Sequence, residues 1–99
     1  MTTNYKRGYF IERKVVNEFR QDGCVAYRSA GSHSIVDITV HFSDCILVLQ
    51  LKREKKKGSQ NYDDDIERFK KMQTTAIKQL WIYRDYEKRD NKWLRISIP

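Results

Sequence analysis

The sequence predicts an α/β fold, a single mixed β-sheet with a helix on each side, in the order αβββαββ. The pattern that predicts it is a change of hydrophobic period. Apolar residues recur at helical spacing near the start and again past the middle of the chain, while alternating or continuous β-branched runs fill the segments between and after. Small and polar turn residues separate these runs, and the single proline, Pro99, interrupts none of them.

Residues 5–22 read as a helix because Ile11, Val15, Val16 and Phe19 form one stripe. Gly23 follows as its C-cap. Glu12 falls inside that stripe. A carboxylate there is costly unless it is paired or bound to a metal, so Glu12 either meets a Lys or Arg at the stripe's edge or points into a site. Residues 24–28 read as a short strand and residues 29–34 as a small-residue loop. Residues 35–42 alternate, with Val36, Ile38, Val40 and Phe42 on one face and Asp37, Thr39 and His41 on the other. Ser43 and Asp44 mark a turn. Residues 45–52 are nearly all apolar, as expected of a central strand covered on both faces. Period two places Gln50 and Lys52 on one face, alongside Asp37.

Residues 53–58 are a charge run, and residues 63–77 read as a second helix with Ile66, Phe69, Met72 or Gln73, and Ala76 on its apolar stripe. Asp63, Asp64 and Asp65 open it and Lys70 and Lys71 lie towards its end, as the helix dipole favours. These acids read as a helix start rather than a metal cluster. Strands at 79–84 and 92–98 flank a polar turn at 85–91.

A chain of 99 residues is expected to form one domain over its whole length. No segment approaches the ~18 apolar residues of a membrane helix, and the first residues lack the apolar core and cleavage site of a signal peptide. A cytoplasmic protein is expected. Cys24 and Cys45 are expected to be reduced, buried and structural, and with His33 and His41 they show no zinc spacing. The formal charge of +7 favours a polyanionic partner.

The chemistry-bearing pattern is Glu12, Asp37 and Gln50-Leu51-Lys52. An acid on a helix, an acid on a hairpin and a polar-x-Lys on the next strand suit a metal-dependent nuclease, because a hard divalent cation needs rigid oxygen ligands. Lysine then orients the attacking water or offsets the charge of the attacked phosphate. His33 and His41 read as ordinary loop and strand residues, and Tyr62 and Trp93 as core or sheet-face residues rather than base-stacking platforms.

On these residues the chain resembles an archaeal-type Holliday junction resolvase of the PD-(D/E)XK nuclease superfamily. The matching segments are Lys6-Arg7-Gly8, Glu12-Arg13, Tyr27-Arg28-Ser29-Ala30-Gly31-Ser32, Val36-Asp37-Ile38 and Gln50-Leu51-Lys52, within residues 6–57. The resemblance implies a restriction-endonuclease-like fold and a homodimer that nicks a four-way DNA junction on two strands. It implies Mg²⁺ or Mn²⁺ held by Glu12, Asp37, Gln50 and Leu51, with Lys52, Arg13 and Arg28 in the catalytic set. Lys6, Arg7, Arg28, Ser29, Ser32, Arg53, Lys55, Lys56 and Lys57 would contact DNA. It also implies a prokaryotic source of archaeal type, cellular or viral. Phe69 is a candidate for the dimer interface or for the monomer core.

Position 50 departs from the superfamily's usual Glu. Its amide oxygen can ligate a hard cation but carries no charge. Three functions follow: an active junction-resolving endonuclease, a branched-DNA binder on a nuclease scaffold, or a related nuclease with another nucleic acid substrate.

Overall fold

The computed structural model describes the backbone of residues 3–29 and 35–99, and side chains from Phe10 onward. Its elements are α1 (Thr3–Gln21), β1 (Val25–Arg28), β2 (Ile38–His41), β3 (Ile46–Glu54), α2 (Asp63–Lys71), β4 (Ile77–Arg84) and β5 (Trp93–Ile98), the predicted order αβββαββ. The strands form one open five-stranded sheet in the order β1-β2-β3-β4-β5. β3 and β4 are parallel and the other neighbours antiparallel. A parallel pair requires a crossover, and α2 is that crossover.

The predicted end of α1 is realised in full. Gly23 has φ +90°, its N–H donates to the Arg20 carbonyl at 3.0 Å, and the Cys24 N–H donates to the Phe19 carbonyl at 3.1 Å. That is a Schellman cap, which needs a residue at ease with positive φ.

Two cores lie on opposite faces of the sheet. On one face Val15 and Val16 of α1 meet Ala26, Ile38, Val40, Leu47, Leu49 and Trp81. On the other, Phe69 of α2 meets Val48, Leu80, Ile82 and Ile98. β3 contributes to both, as the continuous apolar run predicts. Phe69 has no exposed surface, so it belongs to the core and not to a dimer interface.

Three expectations are corrected. β2 is shorter than the predicted 35–42, and Val36 packs with the α2-side core, away from Ile38 and Val40. The strict alternation fails because residues 35–37 are not yet strand. α2 stops at Lys71 rather than at residue 77, with Met72 extended at φ −69°, ψ 120°. Met72 and Ala76 still pack beneath the sheet, so the apolar stripe was right but the chain leaves helical geometry to follow it. Cys24 and Cys45 are free, yet half-buried rather than buried.

Candidate active site

The site forms where β2 has ended and β3 continues. The β2–β3 ladder closes at Ile38 opposite Leu49. Asp37 extends it one step, its N–H donating to the Leu49 carbonyl at 2.8 Å and its carbonyl accepting from Ser29 N–H at 2.9 Å. The backbone of Asp37 is therefore pinned on both sides. Its side chain is pinned too, because Oδ2 accepts the Leu51 N–H at 2.7 Å. Burial pushes the Asp37 carboxyl up to about 6; the Leu51 hydrogen bond opposes this, nearby Glu12 adds to it, and Lys52 opposes it.

Gln50 and Lys52 follow on β3, with side chains on the α2 face beside Leu80 and Ile82. Gln50 is only 9 % exposed, and its Oε1 is buried with no hydrogen-bond partner among the described residues. A buried acceptor without a donor is unfavourable, and a ligand that accepts its lone pairs removes the penalty. In a strand the N–H and C=O of one residue point to the same edge. Since the Leu51 N–H goes to Asp37, the Leu51 carbonyl opens to that edge as well, beyond the end of β2.

Glu12 reaches the site from α1. The pairing reading holds, Arg28 Nε donating to its Oε1 at 2.9 Å, and its charge is felt at Asp37. Arg28 thus braces Glu12 from β1. Glu12, Asp37, Gln50, Leu51, Lys52 and Arg28 are brought together.

Arg13 is not. It is exposed on α1 with Phe10, Lys14, Asn17, Glu18 and Gln21, on the solvent side of the helix. Arg53 is also turned away. It shares the α1 face of β3 with Leu51, donates through Nε to both Asp85 oxygens at 2.9 and 3.1 Å, and lies over the Tyr83 ring. Lys55, Lys56 and Lys57 are exposed just beyond β3. Ser29 adjoins Asp37 through its N–H. Ser32 and His33 lie outside the described residues, as do the side chains of Lys6 and Arg7, whose backbone is part of α1.

The readings of the remaining polar aromatics hold. Tyr62 donates its hydroxyl to Glu54 at 3.0 Å, Trp93 packs on Trp81 and Tyr83, and His41 stacks on Tyr27.

Two participants were missed. Glu54 is buried at the end of β3 and accepts from Tyr62 at 3.0 Å and Tyr86 at 2.7 Å, tying the start of α2 to the chain beyond β4. Asp65 forms an ion pair with Lys52 Nζ at 3.4 Å and accepts a hydrogen bond from Arg68 at 2.7 Å. Its signal was available: it precedes Phe69 by one helical turn and so lies beside the apolar stripe.

Among the described residues no group of three or more His, Cys, Asp or Glu could hold a metal. Counting the amide and the main chain changes the picture. The Glu12 and Asp37 carboxylates, the orphaned Gln50 Oε1 and the Leu51 carbonyl are all hard oxygen donors, the set that Mg²⁺ or Mn²⁺ takes. The residues fit such an ion, with one negative charge fewer than an all-carboxylate site.

An open mixed sheet between two helices, with acids converging where an antiparallel pair parts, is the restriction-endonuclease-like nuclease fold. The chain belongs to the archaeal Holliday junction resolvase (Hjc) family, whose model matches residues 3–97. A solved relative in structure is Hjc of Archaeoglobus fulgidus, a Holliday junction resolvase from an archaeal hyperthermophile. It superposes with a TM-score of 0.62 at 20% identity, over 92% of this chain and 84% of that one. At that identity the likeness speaks for the fold alone. No curated protein sequence matches the chain. Among the described residues no helix is long and apolar enough to cross a membrane.

Proposed function

We propose that this protein is a divalent-metal-dependent endonuclease that nicks branched DNA, four-way junctions above all. The observation that carries the reading is the gathering of Glu12 and Lys52 about Asp37, with a buried Gln50 oxygen, partnerless among the described residues, on the strand face that Lys52 shares. Family membership supplies the substrate class.

Glu12, Asp37, Gln50 Oε1 and the Leu51 carbonyl would hold Mg²⁺ or Mn²⁺. When bound, such a cation polarises the attacked phosphate and makes a water molecule a competent nucleophile at neutral pH. The protein's own part is placement. The Leu51 amide fixes the Asp37 carboxylate, Arg28 fixes Glu12, and Lys52 stands on the same face as Gln50 to offset charge on the phosphate or orient the water. Each chain carries one such centre, and two symmetric nicks need two centres, so the working form is a C₂ homodimer. The protein works in the cytoplasm of a prokaryote of archaeal type, or of one infected by a virus that encodes it.

A second reading has a specific observation behind it. Gln50 contributes no charge, and Glu12 already has a cation partner, so the chain could grip branched DNA without cutting it. Incubating labelled four-way junction, duplex and single strands with Mg²⁺, Mn²⁺ or EDTA separates the readings. Metal-dependent nicking of the junction is expected, abolished by Asp37→Asn while junction binding persists. Binding without nicking at any metal concentration establishes the second reading. Cleavage confined to duplex or single strands assigns another substrate, and undiminished cutting by Asp37→Asn removes Asp37 from the mechanism.

A further inference from the structure

Lys52 leaves β3 on the face that α2 covers, and its side chain is 33% exposed. A four-carbon ammonium so placed has much rotamer freedom to lose before it can serve a reaction. One carboxylate of α2 reaches it. Asp65, on the first turn of α2, lies 3.4 Å from Nζ.

Asp65 differs from its neighbours in the acidic run. Asp63 and Asp64 are exposed, whereas the Asp65 side chain is 13% exposed and is held from behind by Arg68 at 2.7 Å. Any of the three would complement the helix dipole from the first turn, so that role does not explain why this one is turned inward. The residue on the other side of Lys52 supplies the explanation. Gln50 shares a strand face with Lys52 and ends in a buried oxygen without charge or partner. A glutamate there would set a carboxylate beside the lysine; the glutamine does not.

We propose that Asp65 is a positioning residue for Lys52, supplying from α2 the carboxylate partner that position 50 lacks. It rests on the nuclease reading for its consequence, but not for its geometry. Paired with Asp65, the ammonium is held on the α2 side of β3, on the strand face that Lys52 shares with Gln50. Arg68 keeps Asp65 from swinging out, which makes α2 part of the site rather than only a crossover.

The experiment compares wild type with Asp65→Asn, Asp65→Glu, Gln50→Glu, the Asp65→Asn/Gln50→Glu double variant and an Asp63→Asn/Asp64→Asn control. It reads kcat and KM for a labelled junction, the thermal midpoint, and the ¹⁵N–¹H signal of the Lys52 ammonium in the metal-free protein. Asp65→Asn should lower kcat by about 10²-fold, the scale of misplacing a reacting group by about 1 Å, with KM for the junction unchanged. Asp65→Glu should recover most of that loss, and so should Gln50→Glu in the Asp65→Asn background. The Asp63/Asp64 control should behave as wild type. The Lys52 signal should show a freely moving ammonium in Asp65→Asn and a restrained one in wild type.

A Lys52 ammonium equally restrained in both proteins overturns the proposal. So does a kcat loss that follows the thermal midpoint and is not relieved by Gln50→Glu, because that pattern belongs to a strut between α2 and β3. If wild type cuts nothing while Asp65→Asn frees the ammonium, the nuclease reading fails and the positioning of Lys52 stands.

Discussion

In the proposed mechanism Asp37 carries the largest functional load of any single residue. Its pKa moves from 3.8 to about 6, chiefly through burial. The native state therefore binds this proton more tightly than the unfolded chain does. Its contribution to stability is full below about pH 4 and is lost as pH rises through about 6. The metal-free protein should consequently gain thermal stability from this group between about pH 7 and pH 5. Glu87, held down to about 2 by hydrogen bonds from Arg89, stays ionised through that window and does not mask the effect. Asp37→Asn should be more stable than wild type near pH 7 and should lack this pH dependence; parallel melting curves for the two proteins would remove burial as the cause. On the proposed ligand set Mg²⁺ would compete with the same proton, so any stabilisation by added Mg²⁺ should fade below about pH 6. Gln50→Glu adds a third negative charge, which should lower the Mg²⁺ needed for half-maximal cleavage and destabilise the metal-free site. Equal metal dependence of the two proteins would deny Gln50 its ligand role. Gln50 and Lys52 were legible as neighbours on one face because strand period sets which side chains of β3 share it. Glu12 stood out as an acid inside a helix's apolar stripe, whereas Asp37 precedes β2, where strand period does not reach. That Arg28 is the partner of Glu12 and that the inward-turned Asp65 meets Lys52 was not legible, since both depend on how separate elements meet.

At the scale of elements, α2 shows where local reading stops. The apolar stripe through Ile66, Phe69, Met72 and Ala76 predicted a helix to residue 77, yet the helix ends at Lys71. Its end is capped from the strand that follows it. Lys78, 8% exposed on β4, donates through Nζ to the carbonyls of Phe69, Lys70 and Met72 at 3.0, 3.1 and 3.1 Å. An ammonium at a helix C-terminus answers both the unpaired carbonyls and the negative end of the dipole. No local pattern announces such a cap, because the lysine that provides it reads as the residue before a strand. Lys78→Met keeps the volume and strands the carbonyls. It should cost about 1–3 kcal/mol, the scale of leaving buried acceptors unpaired. Urea unfolding should show a lower midpoint with an unchanged slope. A midpoint equal to wild type would mean that water serves these carbonyls as well as the lysine does.

For the whole molecule, the +7 charge is fixed by composition, but the cations free to meet DNA are chosen by the fold. Arg28 is engaged with Glu12, Arg53 with Asp85, Arg84 and Arg89 with Glu87, and Lys78 with the end of α2. The Arg28–Glu12 and Arg53–Asp85 pairs join separate elements, the Glu87 pairs lie within one turn, and net charge carries no trace of any of them. Lys55, Lys56 and Lys57 remain exposed where β3 runs out from the site. Phosphate contacts release counterions, so binding to duplex arms should weaken with salt at a log–log slope of roughly −0.9 per phosphate neutralised. Replacing these three lysines by alanine should lower junction affinity and flatten the slope by up to about 2.7, if each holds one phosphate. Arg53→Ala should act differently. Its guanidinium is spent on Asp85 and Tyr83, so the loss should appear in thermal stability, with little change in slope. Junction titrations at several salt concentrations measure both variants side by side. A slope unmoved by the triple substitution would put the DNA on another face, whereas a slope flattened more by Arg53→Ala would mean that DNA binding breaks the Asp85 pair.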